Sequence, residues 1–127
     1  MYVPKHFELP EVAACHAIIR AHAFASLVTV TAEGLPFATW LPFLLDEARG
    51  PNGTLLGHMA RANPQWRDFA NGKPVLAMFA GPHAYISPRW YQVQPSVPTG
   101  NYQVVQAYGT PRLVEDEAQV GAQFLRL

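Results

Sequence analysis

The distribution of proline is the feature of this sequence that most constrains its fold. Twelve prolines are spread along 127 residues. A proline inside an α-helix removes a hydrogen-bond donor, and its ring clashes with the preceding turn. The chain therefore cannot form a bundle of long helices. Because prolines are tolerated in turns and at the edges and bulges of β-sheets, the sequence favours short strands joined by turns.

Composition narrows the class of protein further. Half of the residues are apolar, 14% are charged, and the formal net charge is zero. Disordered chains combine low hydrophobicity with high net charge, which this chain does not. Nucleic-acid-binding domains usually carry an excess of basic residues, and this chain has none. Its length suits a single domain, residues 1–127. Cys15 has no second cysteine to pair with, which fits a reducing cytoplasm, and no apolar run approaches the ~20 residues of a membrane span.

Alternating apolar residues bounded by turn signals predict six strands. They are residues 24–31, 35–45, 54–59, 74–79, 83–86 and 101–114, the last being either a strand pair or one strand bent at Gly109. Prolines 36 and 42 in the second of these indicate a sheet edge or a bulge, because proline cannot donate to a strand ladder. Short strands of this kind, with helices at the periphery, indicate a mainly β fold in the form of a small antiparallel barrel.

Helical spacing of apolar residues appears in three places. It predicts an N-terminal helix over residues 10–23 and a short helix capped by Asn63. It also predicts a C-terminal helix that begins at Glu115 and carries Val120 and Phe124 on one face. This last pattern is still running at Leu127, so we expect the domain to lack a C-terminal segment.

A first candidate binding segment joins the third strand to the short helix, from Leu56 to Trp66. His58 ends the strand, and Arg61 and Asn63 precede the helix. Backbone N–H groups at a helix N-terminus, together with an arginine, can bind an anionic group such as a phosphate. The alternative is structural: Asn63 only caps the helix, and Arg61 is a solvated surface residue.

Two further segments combine aromatic and polar residues. In residues 81–91, aromatic side chains are interleaved with Arg89 and polar groups. This segment is either a site that stacks a planar ring or a proline-stiffened loop that closes the core. In residues 37–42, a strand carrying Thr39 and Trp40 offers backbone groups to a planar ligand, although a single tryptophan more often lies in a core.

Common catalytic and metal-binding motifs are absent from the sequence. It contains no Gly-x-Ser-x-Gly nucleophile elbow, Walker loop or Gly-x-Gly-x-x-Gly motif. Cys15 lies among apolar residues of the predicted first helix, which favours a buried, inert thiol over a nucleophile. The five histidines lack the close spacing of a structural zinc site, so we expect no metal.

Several stretches together resemble one known family. They are residues 1–7 (MYVPKHF), 34–38 (GLPFA), 58–66 (HMARANPQW), 81–88 (GPHAYISP) and 97–102 (VPTGNY). In this order, and over almost the whole chain, they are similar to the PaiB-type FMN-binding negative transcriptional regulators. The resemblance implies a split β-barrel, similar to that of the pyridoxamine phosphate oxidases, and a homodimer with FMN at the subunit interface.

The resemblance also implies roles for individual residues. Arg61 and Asn63, with the helix N-terminus behind them, would hold the FMN phosphate. The strand segment 39–42 would run beside the flavin ring and offer it backbone hydrogen bonds. The implied cofactor-binding set is Thr39, Trp40, Leu41, Pro42, His58, Ala60, Arg61, Asn63, Tyr85, Ser87 and Trp90.

The chain departs from the family pattern at three positions in this region. Family members usually have histidine where this chain has Trp40 and Gln106, and tryptophan where it has Gly100. They also continue beyond the position of Leu127, with a late Lys-x-Ser-Gln-type stretch near the cofactor. The expected site therefore has two imidazoles and one indole fewer than is usual in the family.

Three functions are compatible with these features. The leading hypothesis is an FMN-binding regulator that represses genes; the family resemblance implies DNA contact, which the charge does not support. The second is an FMN-dependent oxidoreductase acting on a small molecule, in which FMN carries the hydride and His58 or Tyr85 transfers a proton. The third is a haem-binding or haem-degrading split barrel with His58 or His83 as the axial ligand.

Overall fold

The computed structural model describes residues 1–114 and 124–126. Within these ranges it contains the α-helix α1 (Val12–Ala21) and three short 3₁₀ helices, Lys5–Phe7, Pro64–Asn71 and Pro88–Trp90. The strands are β1 (Phe24–Val30), β2 (Pro36–Asp46), β3 (Thr54–His58), β4 (Val75–Ile86), β5 (Thr99–Gly109), β6 (Arg112–Val114) and β7 (Phe124–Arg126). The chain is mainly β with peripheral helices, as predicted.

The strands form one antiparallel seven-stranded sheet in the order β5-β4-β1-β2-β3-β7-β6. β2 connects its two halves, because residues 36–42 pair with β1 and residues 43–46 pair with β3. In the part of the chain that the structure describes, the outer strands β5 and β6 do not pair with each other. The sheet is therefore not a closed barrel, which agrees with the predicted split-barrel class.

The hydrophobic core lies on the inner face of this sheet. Leu27, Ala77 and Phe79 are among its most deeply buried members. Ile19 of α1 and Phe69 of the 3₁₀ helix Pro64–Asn71 pack onto the same cluster. Phe69 holds the 3₁₀ helix Pro64–Asn71 against β1 and β2, where this helix borders the candidate site.

Several local predictions are confirmed. Gly34 adopts φ 85° in the turn between β1 and β2. In the same turn, hydrogen bonds from the Thr31 side chain and from the backbone of Glu33 lower the pKa of the Glu33 carboxyl. Gly72 adopts φ 70° at the end of the 3₁₀ helix Pro64–Asn71, a conformation that glycine reaches without strain. The sequence Gly81-Pro82 produces a β-bulge between Ala80 and His83, so residues 75–86 form one bent strand.

The C-terminal helix prediction is wrong where the structure describes it. Phe124–Arg126 forms β7, which pairs with β3 on one side and with β6 on the other. Val120 and the rest of residues 115–123 lie outside the described residues. Pairing to the open side of β3 outweighs the local helical spacing, because tertiary contacts override intrinsic propensity. No helix in the described ranges is long and apolar enough to cross a membrane.

Candidate functional site

The candidate site is built on one edge of β2. The amide of Phe43 donates to the carbonyl of Ala23 at 2.9 Å, and the amide of Thr31 donates to the carbonyl of Leu35 at 2.8 Å. Hydrogen-bonded pairs alternate along an antiparallel ladder, so the odd-numbered residues of β2 bond to β1 and the even-numbered residues face the other side. β3 joins that side only from Phe43 onward. The backbone groups of Ala38 and Trp40 therefore face no strand among the described residues.

We call residues 36–42, which pair with β1 on one side and with no described strand on the other, the β2 edge. Both of its prolines, Pro36 and Pro42, fall on even-numbered positions, so the donor that each one lacks is missing from the open side and not from the ladder to β1. The N–H groups that the edge presents are those of Ala38 and Trp40. Prolines at either end discourage the addition of another strand, while the short stretch between them can bond to the polar rim of a planar ligand.

The side chains predicted to line this strand point in different directions. The Thr39 hydroxyl accepts a hydrogen bond from Nδ2 of Asn63 at 2.9 Å. The Trp40 side chain is 58% exposed and stacks on the ring of Phe24, with centroids 5.8 Å apart. Leu41 is buried in the core, and its backbone groups face β1. Leu41 is therefore part of the wall behind the edge, and Trp40 presents both its backbone and its ring.

A tight turn from Ala60 to Asn63 lies beside the β2 edge. The amide of Asn63 donates to the carbonyl of Ala60 at 2.9 Å. The indole Nε1 of Trp66 donates to the carbonyl of Arg61 at 3.1 Å. The Arg61 side chain is exposed, and within the described ranges it takes part in no ion pair. The turn thus holds the backbone of Arg61 while leaving its guanidinium available to an anion.

The helix that follows the turn contributes less to anion binding than the sequence predicts. Asn63 caps it as expected, since its Oδ1 accepts from the amide of Gln65 at 3.0 Å. Pro64 has no N–H, and the amide of Gln65 is already used by this cap. The first two helical positions therefore offer no free donor, and recognition of a phosphate here would depend on the Arg61 side chain.

His58 completes this group of residues. It is the exposed last residue of β3 and lies one register position beyond the Phe43–Gly57 pair. This places it level with Pro42 at the end of the β2 edge. The structure thus brings together the predicted residues 39–42, His58, Ala60, Arg61 and Asn63.

Tyr85, Ser87 and Trp90 lie elsewhere in the same chain. They belong to the β4–β5 arm, which we define as residues 81–104. Met78 of β4 and Trp40 of β2 both pair with Ser26, and Tyr85 lies on the order of 20 Å further along β4 at the usual rise per residue. One chain alone therefore does not bring the arm residues to the β2 edge.

The β4–β5 arm carries mostly exposed side chains. Ser87 caps the 3₁₀ helix Pro88–Trp90 by accepting a hydrogen bond from the amide of Arg89 at 3.3 Å. Trp90 is 70% exposed. An open groove of about 490 Å³ runs over the arm beside Tyr85 and Gly100, which face each other across β4 and β5.

Sequence reasoning missed Gln65, which is 1% exposed. Its Nε2 donates to the carbonyl of Leu27 at 2.9 Å, to the carbonyl of Phe37 at 3.1 Å and to the hydroxyl of Thr29 at 3.3 Å. The sequence signal for its burial is its spacing from Phe69, which puts both residues on the same buried side of the helix. A polar residue at a core-facing position requires partners, and these partners are backbone atoms that a sequence does not display.

The structure locates the histidines that the haem alternative names. Within the ranges it describes, no three His, Cys, Asp or Glu side chains lie close enough to hold a metal ion. His58 ends β3, and His83 lies on the β4–β5 arm.

Comparison with known proteins places this geometry in a family. The whole chain, residues 1–127, matches the family described as "Putative FMN-binding domain". The chain is 40% identical over 117 residues to "Protease synthase and sporulation protein PAI 2" of Bacillus subtilis, covering 92% of this chain and 55% of that protein.

Two fungal relatives extend the comparison. An uncharacterised protein of Saccharomyces cerevisiae is 27% identical over 138 residues, covering 92% of this chain and 81% of its own length. One of Emericella nidulans is 34% identical over 102 residues, covering 60% of this chain and 41% of its own length. The chain thus spans about half of the Bacillus relative. A match along its entire length shows that the chain belongs to this FMN-binding domain family.

Proposed function

We propose that the chain binds FMN, with the flavin ring along the β2 edge and the phosphate at the turn that presents Arg61. The observation that carries this proposal is the side of the β2 edge that meets no strand among the described residues and lies between two prolines. Its free N–H and C=O groups suit the alternating donors and acceptors of a flavin ring. FMN, when bound, would supply electron or hydride transfer. The residues present fit such a group: Asn63 joins the turn to Thr39, so the phosphate and ring positions belong to one rigid unit.

Arg61 is the residue on which phosphate recognition depends in this proposal. Its guanidinium is exposed beside a turn whose amides are partly used. Lys73 provides a matched control, because it is an exposed cation just beyond the other end of the same 3₁₀ helix. A charge-assisted hydrogen bond contributes roughly 1.5–3 kcal/mol, which corresponds to a roughly 10–100-fold change in dissociation constant.

The test is a fluorescence-quenching titration with FMN and with riboflavin, which lacks the phosphate. Arg61→Ala should weaken FMN binding roughly 10–100-fold and leave riboflavin binding nearly unchanged. Lys73→Ala should bind both ligands like the parent protein. A parent protein that binds neither flavin would contradict the proposal, and equal effects of the two variants would remove the role given to Arg61.

The proposal includes a homodimer with FMN at its interface. The even-numbered residues 36–44 of β2 point away from the core, and the outer sheet face they belong to also exposes Phe24 and Tyr108. A second copy fits this face, because it would cover the exposed apolar side chains of Phe24, Trp40 and Leu44. A second copy could also bring Tyr85, Ser87 and Trp90 of its β4–β5 arm to the β2 edge.

We further propose that this is a cytoplasmic regulator of the PaiB type, acting as a repressor of gene expression. Support comes from the family match and from a Bacillus relative whose name refers to protease synthase and sporulation. The zero net charge favours action through a partner over direct binding to DNA. Deleting the gene in its host should raise a set of transcripts that the parent gene represses again and the Arg61→Ala gene does not. Unchanged transcripts after deletion would count against regulation.

A further inference from the structure

Gln65 occupies an unusual position beneath the candidate site. It is the most buried side chain of the 3₁₀ helix Pro64–Asn71, and it lies against β1 and β2, where its Nε2 reaches one carbonyl of each strand. The Thr29 hydroxyl, which also accepts from Gln65, donates in turn to Asp68 of the same helix at 2.7 Å. A single amide group therefore fastens the start of this helix to both strands.

The attachment to β2 involves two neighbouring points. Gln65 bonds to the carbonyl of Phe37, and Asn63 bonds to the hydroxyl of Thr39. Asn63 is coupled to Gln65 through its cap on the Gln65 amide. Because Asn63 also closes the turn that presents Arg61, the position of that arginine relative to the β2 edge depends on how Gln65 is seated.

The bonding of Gln65 is one-sided. Its Oε1 is buried and has no hydrogen-bond partner among the described residues. A buried acceptor left unpaired reduces stability, so the Oε1 of Gln65 opposes the stabilisation that its Nε2 provides. Departures of this kind concentrate at functional sites. The donor side of the amide, which reaches the two strands, is the part that the site uses.

We infer that Gln65 is a positioning residue that sets the distance between the phosphate-binding turn and the flavin-binding β2 edge, and thereby selects FMN over riboflavin. The inference rests on the proposed function. The ratio of FMN to riboflavin affinity measures it directly, because a shift of the turn weakens only the ligand that spans both places.

The experiment titrates both flavins against folded Gln65→Met protein, which keeps the length of the side chain and removes its donor. In metal sites, loss of a partner that orients a ligand typically weakens binding roughly 10–100-fold, and we expect the same scale for this turn. We expect FMN affinity to fall by about tenfold or more while riboflavin affinity stays nearly constant. Thr29→Val removes one of the three Gln65 contacts and the hydrogen bond from Thr29 to Asp68 without touching the site, and it should shift the ratio in the same direction by less.

Asn71→Ala is the matched control. Asn71 sits at the other end of the same helix and bonds through its Nδ2 to the carbonyl of Val30 at 2.9 Å. This variant should lose stability and keep the affinity ratio of the parent. An unchanged affinity ratio in Gln65→Met overturns the inference, and so does an equal change of the ratio in Asn71→Ala. If Gln65→Met does not fold, an unchanged ratio in Thr29→Val overturns the inference instead. If the parent protein binds no flavin, the proposed function is wrong, and the inference that rests on it is wrong as well.

Discussion

Gly57 shows, at the scale of one residue, how a missing side chain shapes the wall behind the site. It lies in β3 opposite Phe43. A Cβ placed there would come within 2.8 Å of Cδ1 of Leu41 and 2.9 Å of Cε1 of Phe43. Both side chains are in the core, and Phe43 also packs edge-on against Phe79 with ring centroids 5.8 Å apart. Glycine is required here for close approach and not for backbone conformation.

Gly57→Ala should therefore lower the free energy of unfolding by about 1–3 kcal/mol, the usual effect of overpacking a core. Urea denaturation followed by tryptophan fluorescence measures this change. Gly100→Ala is the control, because nothing lies within 4 Å of its Cβ position, and its effect should stay within about 0.5 kcal/mol. Equal losses in the two variants would show that close packing against Leu41 and Phe43 does not explain Gly57.

The helix α1 covers part of the core, and a polar contact holds it in place together with the apolar side chain of Ile19. Nε2 of His16 lies 2.9 Å from the carbonyl of Asn52 and therefore donates to it. Nδ1 of His16 lies 3.3 Å from Oε2 of Glu47, whose carboxylate also pairs with Arg20. The histidine thus joins the helix to the loop between β2 and β3.

His16→Leu should lower the free energy of unfolding by about 0.5–1.5 kcal/mol, because it removes the part-buried hydrogen bond to the Asn52 carbonyl. Arg20→Ala should lower it by less than about 1 kcal/mol, since that ion pair is exposed to solvent. Chemical denaturation of both variants compares the two values. A larger loss in Arg20→Ala would mean that the surface ion pair, and not the histidine, holds α1 in place.

Elements differ in how well the sequence predicts them, and the differences have physical causes. β1 begins at Phe24 as predicted, because its alternation and flanking turns are local signals. The short helix begins after Asn63 as predicted, since capping is also local. Residues 124–126 form a strand and not a helix because β3 and β6 both lie beside them, and such partners are brought together only by the folded chain.

The whole molecule presents an outer sheet face that matters for assembly. Leu44 is 67% exposed on the same strand face as Trp40. Leu35 is 64% exposed in the turn between β1 and β2, outside that face. The two leucines have similar exposure in different places, so they form a matched pair for testing the proposed dimer.

Leu44→Asp should convert the dimer to a monomer, because it buries an unpaired charge in an apolar interface. Leu35→Asp should leave the dimer intact. Light scattering coupled to size-exclusion chromatography gives the mass of each form. A monomeric parent protein, or a Leu44→Asp dimer as stable as the parent, would exclude this face as the interface.

The sequence by itself determined the mainly β class, the turns at glycines and the cap of the second helix, because each depends on residues that are close along the chain. It also marked the β2 strand, Arg61 and Asn63 as a candidate site. The tertiary structure decided that the open side of β2 lies between its two prolines, that Gln65 seats the neighbouring turn, and that Tyr85 and Trp90 lie away from that edge. These features depend on strand pairing and burial between distant residues, which only the folded chain defines.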